Sequence, residues 1–313
     1  MPNKKRKPIA ILTADMHIRS DTPICRTDNL VDVQFEKLRF IFELSNKLNV
    51  PILCAGDIGD KHQWKNWLLC RFIELVFDIN LSNSIFAIPG QHDLPQHSLE
   101  LWKKAGIGVL HEARVIDVLG VDGQNKLSGD NFSIYPFPYG VDMRSFDLGE
   151  SDKPCIAMTH QFVIESVAEN KWQESYSKAK ALLKKYPCYD VILSGDNHKP
   201  FVVEYEGRKL VNPGSMMRTT AAQIKHKPRV YILYDDMSVE AKFIPIEDGV
   251  VVRDHIVEVD NERDERIDSY VKKLKEEYEM GFSYEDNMKI AIIEEKVGPD
   301  VEKIIWECIG GEA

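Results

Sequence analysis

The strongest constraint on how this 313-residue chain can fold is a repeated arrangement in which a short apolar run breaks into a cluster of Asp and His. "PIAILTA" (8–14) leads into Asp15 and His17, "PILCAG" (51–56) into Asp57 and Asp60, and "SIFAIPG" (84–90) into Gln91, His92 and Asp93. Further on, "CIAMT" (155–159) is followed by His160, and "DVILSG" (190–195) by Asp196 and His198. Apolar runs of this length, bounded by Gly or Pro, read as buried strands, so the polar side chains collect where strands open into loops. Such residues at the carboxyl ends of several strands converge on one crevice. Residues two apart on a strand face the same side, so Asp15 and His17 are expected to grip one ion together.

Between the first three runs lie helical patterns. "VQFEKLRFIFELSNKL" (33–48) places Phe35, Leu38, Phe42 and Leu48 at helical spacing, and "WKNWLLCRFIELVFDINL" is a second helix. This β-α-β-α-β rhythm predicts a layered α/β domain. From about residue 114 strands dominate: "RVIDVLG", "FSIYPF", "RVYILYD" and "VEAKFIPI" join the runs above, with one helix near 175–185. "FVVEYEGRKLVNPG" carries Glu-Gly at its middle and predicts a hairpin. After residue 246 the sequence turns charged and helical: "NERDERIDSYVKKLKEEYEM" puts Ile267, Val271 and Leu274 on one stripe, a second helix is expected from Ser283, and a third over "GPDVEKIIWECIGG".

Composition narrows the class. Hydrophobic residues make up 43% of the chain, enough for a large core, while no apolar run reaches the ~20 residues of a membrane span. The N-terminus has no signal-peptide layout, so a cytoplasmic, membrane-free protein is expected. The six cysteines form no C-x-x-C pair, and Cys54, Cys70 and Cys155 fall in apolar segments, which predicts buried, reduced thiols. The net charge of −10 is unevenly spread: residues 247–313 hold 20 acidic and 9 basic side chains, leaving 1–246 near neutral. The acidity belongs to the extension.

Taken in order, the clusters read D-x-H, G-D-x-x-D, G-Q-H-D, H and G-D-N-H. Over roughly the first 246 residues the chain resembles the calcineurin-like metallophosphoesterase superfamily, whose pattern is D-x-H, G-D-x-x-D, G-N-H-D/E, H and G-H-x-H. The resemblance implies an α/β fold, a layered β-sandwich flanked by helices (1–246), with 247–313 as a small helical cap or partner-binding region. It implies two divalent metal ions, one held by Asp15, His17, Asp57 and His198, the other by Asp57, Gln91, His160 and Asp196. Gln91 stands where the family has Asn, and Asp196 where it has His; each exchanges one donor for another, and a carboxylate tilts the second position toward Mn²⁺ or Mg²⁺. Two ions against three aspartates leave a net positive charge to attract a phosphate. His92 corresponds to the family's non-ligand histidine, which protonates the leaving oxygen or stabilises its charge, and Asp60 to an acid that orients it. The ions would polarise the phosphoryl oxygen and activate the attacking water.

The superfamily holds phosphatases, cyclic-nucleotide diesterases and nucleases, so substrate must come from elsewhere. After Asp60 the chain reads "KHQW", without the arginine that phosphoprotein phosphatases carry there. The hairpin running into Asn-Pro-Gly-Ser and Arg218 resembles the close of the catalytic domain in SbcD-type repair nucleases, a family that cuts DNA with Mn²⁺ as a homodimer beside a coiled-coil ATPase of the SMC type. On that resemblance the chain is a DNA exonuclease or endonuclease in repair or recombination; Arg218, and Arg26 from the "CRTD" loop right after the first motif, are expected to bind phosphate. A small-molecule phosphodiesterase or nucleotide phosphatase is the alternative, and a non-catalytic scaffold a third. Trp64 and Trp67, at i and i+3 of a helix, are expected in the core or at a subunit interface. His62, His97, His111, His226 and His255 are expected to be structural.

Overall fold

The computed structural model of the protein describes residues 6–146, 153–165, 176–253 and 288–309, apart from 290, 294 and 296. The chain divides into two units, Met1–Val252 and Arg253–Ala313. The first extends beyond the expected boundary at 246 because its last residues return to an early loop: Val252 N–H donates to the Cys25 carbonyl and Thr27 N–H to that of Val250.

Two six-stranded sheets form the first unit. The first has the order β14-β13-β1-β2-β3-β4, from β1 (Pro8–Thr13), β2 (Ile52–Cys54), β3 (Ile85–Ala87), β4 (Asp117–Val118), β13 (Arg229–Tyr234) and β14 (Val239–Phe243). The second has the order β11-β12-β10-β7-β6-β5, from β5 (Leu127–Ser128), β6 (Ser133–Phe137), β7 (Cys155–Thr159), β10 (Val191–Ser194), β11 (Phe201–Tyr205) and β12 (Arg208–Asn212). The two-residue strands β8 (Val163–Ile164) and β9 (Ser177–Lys178) pair apart from both sheets. Strands β1 to β4 run parallel, as do β6, β7, β10 and β12, so each sheet gathers several carboxyl ends at one edge.

Period-two alternation builds the layers. Ala10, Leu12 and Leu53 of the first sheet meet Ile134, Ile156, Met158, Val191 and Leu193 of the second in a core between the sheets. The intervening residues Ile11, Ile52, Cys54 and Ile85 face outward, onto α1 (Leu30–Leu48), α2 (Asn66–Asp78) and α3 (Gly106–Glu112). On the other side Ala157 and Ile192 pack beneath α4 (Ala179–Lys185). Both faces of each central strand are covered, which is why these strands read as continuous apolar runs rather than alternating ones. The architecture is therefore the expected mixed α/β sandwich flanked by helices.

Local chemistry sets the element ends. The Asn29 side chain accepts a hydrogen bond from Val31 N–H at the start of α1, and Asn49 closes the helix in the left-handed conformation. The hairpin between β11 and β12 turns on Glu206 and Gly207, both with positive φ (51° and 77°), the geometry of a tight two-residue hairpin turn. The run from Gln91 to Glu112 follows no expected helical period: it passes through three short 3₁₀ stretches into α3. Buried Trp64 fills the space beside this segment, with Gly106 against its ring. Trp67 is 45% exposed, outside the core. Cys54 and Cys155 are buried, whereas Cys70 is exposed on α2, because the apolar stripe of that helix runs through Leu68, Phe72, Leu75 and Val76 instead.

In the second unit α5 (Pro299–Ile309) lies where the third helix was expected, and Lys289 sits over the ring of Trp306. The expected helix through Ile267 and Leu274 lies outside the described residues. Among the described residues no helix is long and apolar enough to cross a membrane.

Leu193 is fully buried between the sheets. Leu193→Ala is expected to cost about 2–5 kcal/mol in urea-induced unfolding of the first unit; a loss within ~0.5 kcal/mol would mean that the sheets do not share this core.

Candidate metal centre

Every Asp–His cluster lies just past a strand: Asp15 and His17 after β1, Asp57 after β2, Gln91 and His92 after β3, His160 after β7, and Asp196 and His198 after β10. Both sheets contribute. Strand alternation, however, is not what pairs Asp15 with His17. Both lie beyond β1 with left-handed backbones (φ 49° and 45°), as do Asp57 (53°) and Asp196 (71°). Such conformations are costly for residues with a Cβ, and they persist where the surroundings fix them. Here the loops after β1 and β2 are laced together: Asp15 N–H donates to the Gly56 carbonyl, His17 N–H to that of Asp57, and Ile18 N–H to that of Ile58, at 2.8–3.0 Å. Gly56 (φ 93°) has no room for a side chain, because a Cβ there would lie 2.2 Å from His160 Nδ1.

The donor atoms close on one another. Those of Asp15, His17 and His198 lie within 4.8 Å of each other, as do those of Asp15, Asp57 and His160 and those of His17, Asp57 and His92. His17 Nε2 is 3.0 Å from His198 Nε2. Asp57 Oδ1 accepts the His92 backbone N–H at 2.9 Å, and its Oδ2 stands 3.7 Å from His17 Nε2 and 3.4 Å from His160 Nε2. That oxygen lies between the two groups. Gln91 donates its side-chain amide to Asp196 Oδ1 at 2.7 Å, and Asp196 N–H donates to Asp15 Oδ1 at 3.0 Å.

After these bonds, Asp15 Oδ2, Asp57 Oδ2, Gln91 Oε1 and His160 Nε2 are all buried without a hydrogen-bond partner. One such atom is costly; Asp57 Oδ2 and His160 Nε2 have each other only as an ion pair at 3.4 Å, and the gathering of all four in one place points to a ligand. Electrostatics points the same way. Burial pushes the Asp15 carboxyl up to about 8, aided by the Asp57 charge and only partly offset by His160. Burial likewise drives His17 down to about 3 against the pull of Asp57. In the Asp57–His160 pair the mutual attraction outweighs burial, keeping the acid ionised and the imidazole protonated. Imidazole, carboxylate and amide oxygen form a mixed donor set suited to divalent ions, whose charge would relieve these strains. Asp15, His17 and His198 could hold one divalent ion, and Asp15, Asp57 and His160 form a second candidate group beside it, with the bonded pair Gln91 and Asp196 next to Asp15.

His92 Nδ1 is 2.9 Å from the Asp60 main-chain carbonyl. The ring is thus held by the backbone of Asp60 rather than by its carboxylate, which turns to Arg19 at 3.4 Å. The sequence reading missed the reason this loop is rigid. Asp93 is buried, and its carboxylate accepts backbone N–H groups from Ile58 (3.2 Å), Gly59 (2.9 Å) and Gly90 (3.0 Å), pinning the His92 loop to the Asp57 loop. The signal was the last letter of the G-Q-H-D cluster. Asn197, between Asp196 and His198, likewise holds the loop after β10 by donating to the Val163 carbonyl at 2.7 Å. Arg26 and Arg218 are not brought to this centre; they line a separate cavity. Of the other histidines, His111 packs against Trp102 and His226 bonds the Ser215 carbonyl, while His255 lies outside the described residues.

Mn²⁺ added to chelator-treated protein is expected to raise the thermal midpoint, by linkage worth about 2.7 kcal/mol at a hundredfold excess over Kd. Metal analysis should find two ions per chain, and Gln91→Ala should lose one of them. Full double occupancy in Gln91→Ala would remove Gln91 from the donor set.

No curated protein is significantly similar to the chain. Among solved structures, one from work described as "Structural and Functional Characterization of a Novel Archaeal Phosphodiesterase" is 15% identical, covers 75% of this chain and 98% of its own, and superposes with a TM-score of 0.39. The profile of the family described as calcineurin-like phosphoesterase matches residues 10–200, a span that runs from before Asp15 to beyond His198. The chain belongs to the calcineurin-like phosphoesterases.

Proposed function

We propose that the protein is a metal-dependent phosphodiester hydrolase that cuts DNA, with Mn²⁺ as its ion. The observation that carries the hydrolase reading is the set of buried, unpartnered donor atoms on Asp15, Asp57, Gln91 and His160, gathered from strand ends of both sheets. Bound divalent ions supply Lewis-acid polarisation of a phosphoryl oxygen and a nucleophile at neutral pH.

The chain's own residues do the rest. The Asp60 carbonyl accepts a hydrogen bond from His92 Nδ1–H, which leaves Nε2 to face the reacting ester. As an imidazolium, His92 gives its Nε2 proton to the departing ester oxygen and is left neutral. Asp93 holds that imidazole in place through the three backbone bonds described above. A cleft of about 460 Å³ opens on Gln91, His160 and Asp196, with Tyr139, Gln161 and Phe162 along its wall. Half-buried aromatic faces beside the reacting centre suit the stacking of a nucleic-acid base.

The segment after Asp60 lacks the arginine of phosphoprotein phosphatases, and the hairpin that runs into Asn-Pro-Gly-Ser and Arg218, by its resemblance to repair nucleases, favours DNA as the substrate. The acidic segment 247–313 repels DNA, so contacts to phosphate fall on the first unit, and the extension is left for a protein partner such as an SMC-type ATPase. A homodimer is part of the same proposal.

End-labelled duplex and single-stranded DNA incubated with Mn²⁺ should be cut by the wild type and left intact by Asp57→Ala. His92→Asn should retain both ions and lose about 10²- to 10⁴-fold in kcat. Cleavage of bis(p-nitrophenyl) phosphate with both DNA forms untouched would assign the protein to small diesters instead. Unchanged turnover in His92→Asn would remove the proposed acid.

A further inference from the structure

Arg26 and Arg218 come from a loop after β1 and a loop after β12, yet they meet in one cavity of about 370 Å³ with Lys37 of α1. All three are buried, with 7%, 3% and 3% of their surface exposed. The walls of this cavity contain none of the metal-donor side chains.

Three carboxylates, Asp28, Glu36 and Glu247, line the same cavity, and of these Asp28 alone bonds one of the three cations. Arg26 forms a forked ion pair with Asp28 through Nε and one terminal nitrogen. Its other terminal nitrogen donates to the Arg218 carbonyl at 3.2 Å. Lys37 Nζ donates to the Met216 carbonyl at 3.0 Å, and Arg218 donates to the Glu247 carbonyl at 2.6 Å. Those acceptors are neutral. Glu36 and Glu247 border the cavity with exposed side chains. Arg218 Nε is buried with no partner at all. Burial, together with the charges of Arg26 and Arg218, pushes the Lys37 ammonium down to about 7. Buried cations bonded only to neutral carbonyls are expensive, and an anion placed among them lowers that cost.

We infer that the cavity bounded by Arg26, Lys37 and Arg218 is a binding site for a phosphate-type oxyanion, separate from the metal centre. Guanidinium forks match the oxygens of a tetrahedral anion, and an ammonium adds a point charge beside them. The volume holds a phosphate with water around it, one water's share of the liquid being about 30 Å³. The site also shares a peptide with the metal centre. Met216 N–H donates to the Asp15 carbonyl at 3.1 Å, while its own carbonyl accepts a hydrogen bond from Lys37 Nζ. An anion that draws on Lys37 therefore acts on a segment bonded directly to the first metal-donor loop.

The test uses full-length protein stripped of metal with a chelator, so the metal centre cannot capture the probe and the result is independent of any hydrolytic activity. Titration calorimetry with inorganic phosphate should show saturable binding to wild type, weakened about tenfold or more in Lys37→Gln and in Arg218→Gln. Lys37→Gln keeps a donor for the Met216 carbonyl, and an unchanged circular dichroism spectrum with retained Mn²⁺ binding shows that each variant is folded. Absence of binding at millimolar phosphate, or equal affinity in wild type and both folded variants, would overturn the site. A short single-stranded oligonucleotide then identifies the source of the anion. Displacement of bound oligonucleotide by phosphate in wild type, lost in Lys37→Gln, places a nucleic-acid backbone phosphate there; phosphate binding that leaves the oligonucleotide bound assigns the site to a free small phosphate.

Discussion

The rest of the structure depends on one buried carboxylate. Asp57 is fully enclosed, adopts a left-handed backbone, gives one oxygen to the His92 main chain and holds the other between His17 and His160. A charge in that position is tolerable only if cations surround it, and a backbone in that conformation only if neighbouring loops fix it. The hydrogen bonds from the β1 loop, the side-chain-free Gly56 and the Asp93 clasp supply the second condition. The protonated imidazole of His160, together with the divalent ions that the family uses, would supply the first.

The sandwich explains why such a site exists here. A single parallel sheet presents its carboxyl ends along one edge; two sheets packed face to face present two edges side by side. Asp15, Asp57 and Gln91 come from the first sheet, and His160, Asp196 and His198 from the second. The core between the sheets, built from Leu12, Leu53, Ile156 and Leu193, thus sets the separation of the donors as well as stabilising the fold. These six candidate donors from two sheets, with His17 beside Asp15, meet without any long loop, each within a few residues of a strand end.

The two arginines teach a different lesson. Arg26 was expected to reach a phosphate because it lies in the loop after the first motif, and Arg218 because it follows the hairpin that closes the catalytic domain. In the fold both turn into a second cavity beside Lys37, a residue that sits on the buried face of α1 and carries no local signal. A lysine at a helical core position reads as an ordinary solvated charge until tertiary packing shows what stands over it.

Sequence alone determined the strands, the two long helices, the hairpin turn and which polar side chains gather just past the strand ends. These follow from local physics: burial on both faces forces continuous apolar runs, Glu206 and Gly207 meet the needs of a tight turn, and donors must sit where buried strands end. Only the tertiary structure decided how Asp15 and His17 are oriented, that the Asp60 carbonyl rather than its carboxylate holds His92, that Cys70 faces out, and that three distant cations share a cavity. Each of those depends on a contact between segments far apart in the chain. Periodicity reports which face of an element is buried, and it carries no record of which partner lies across from it.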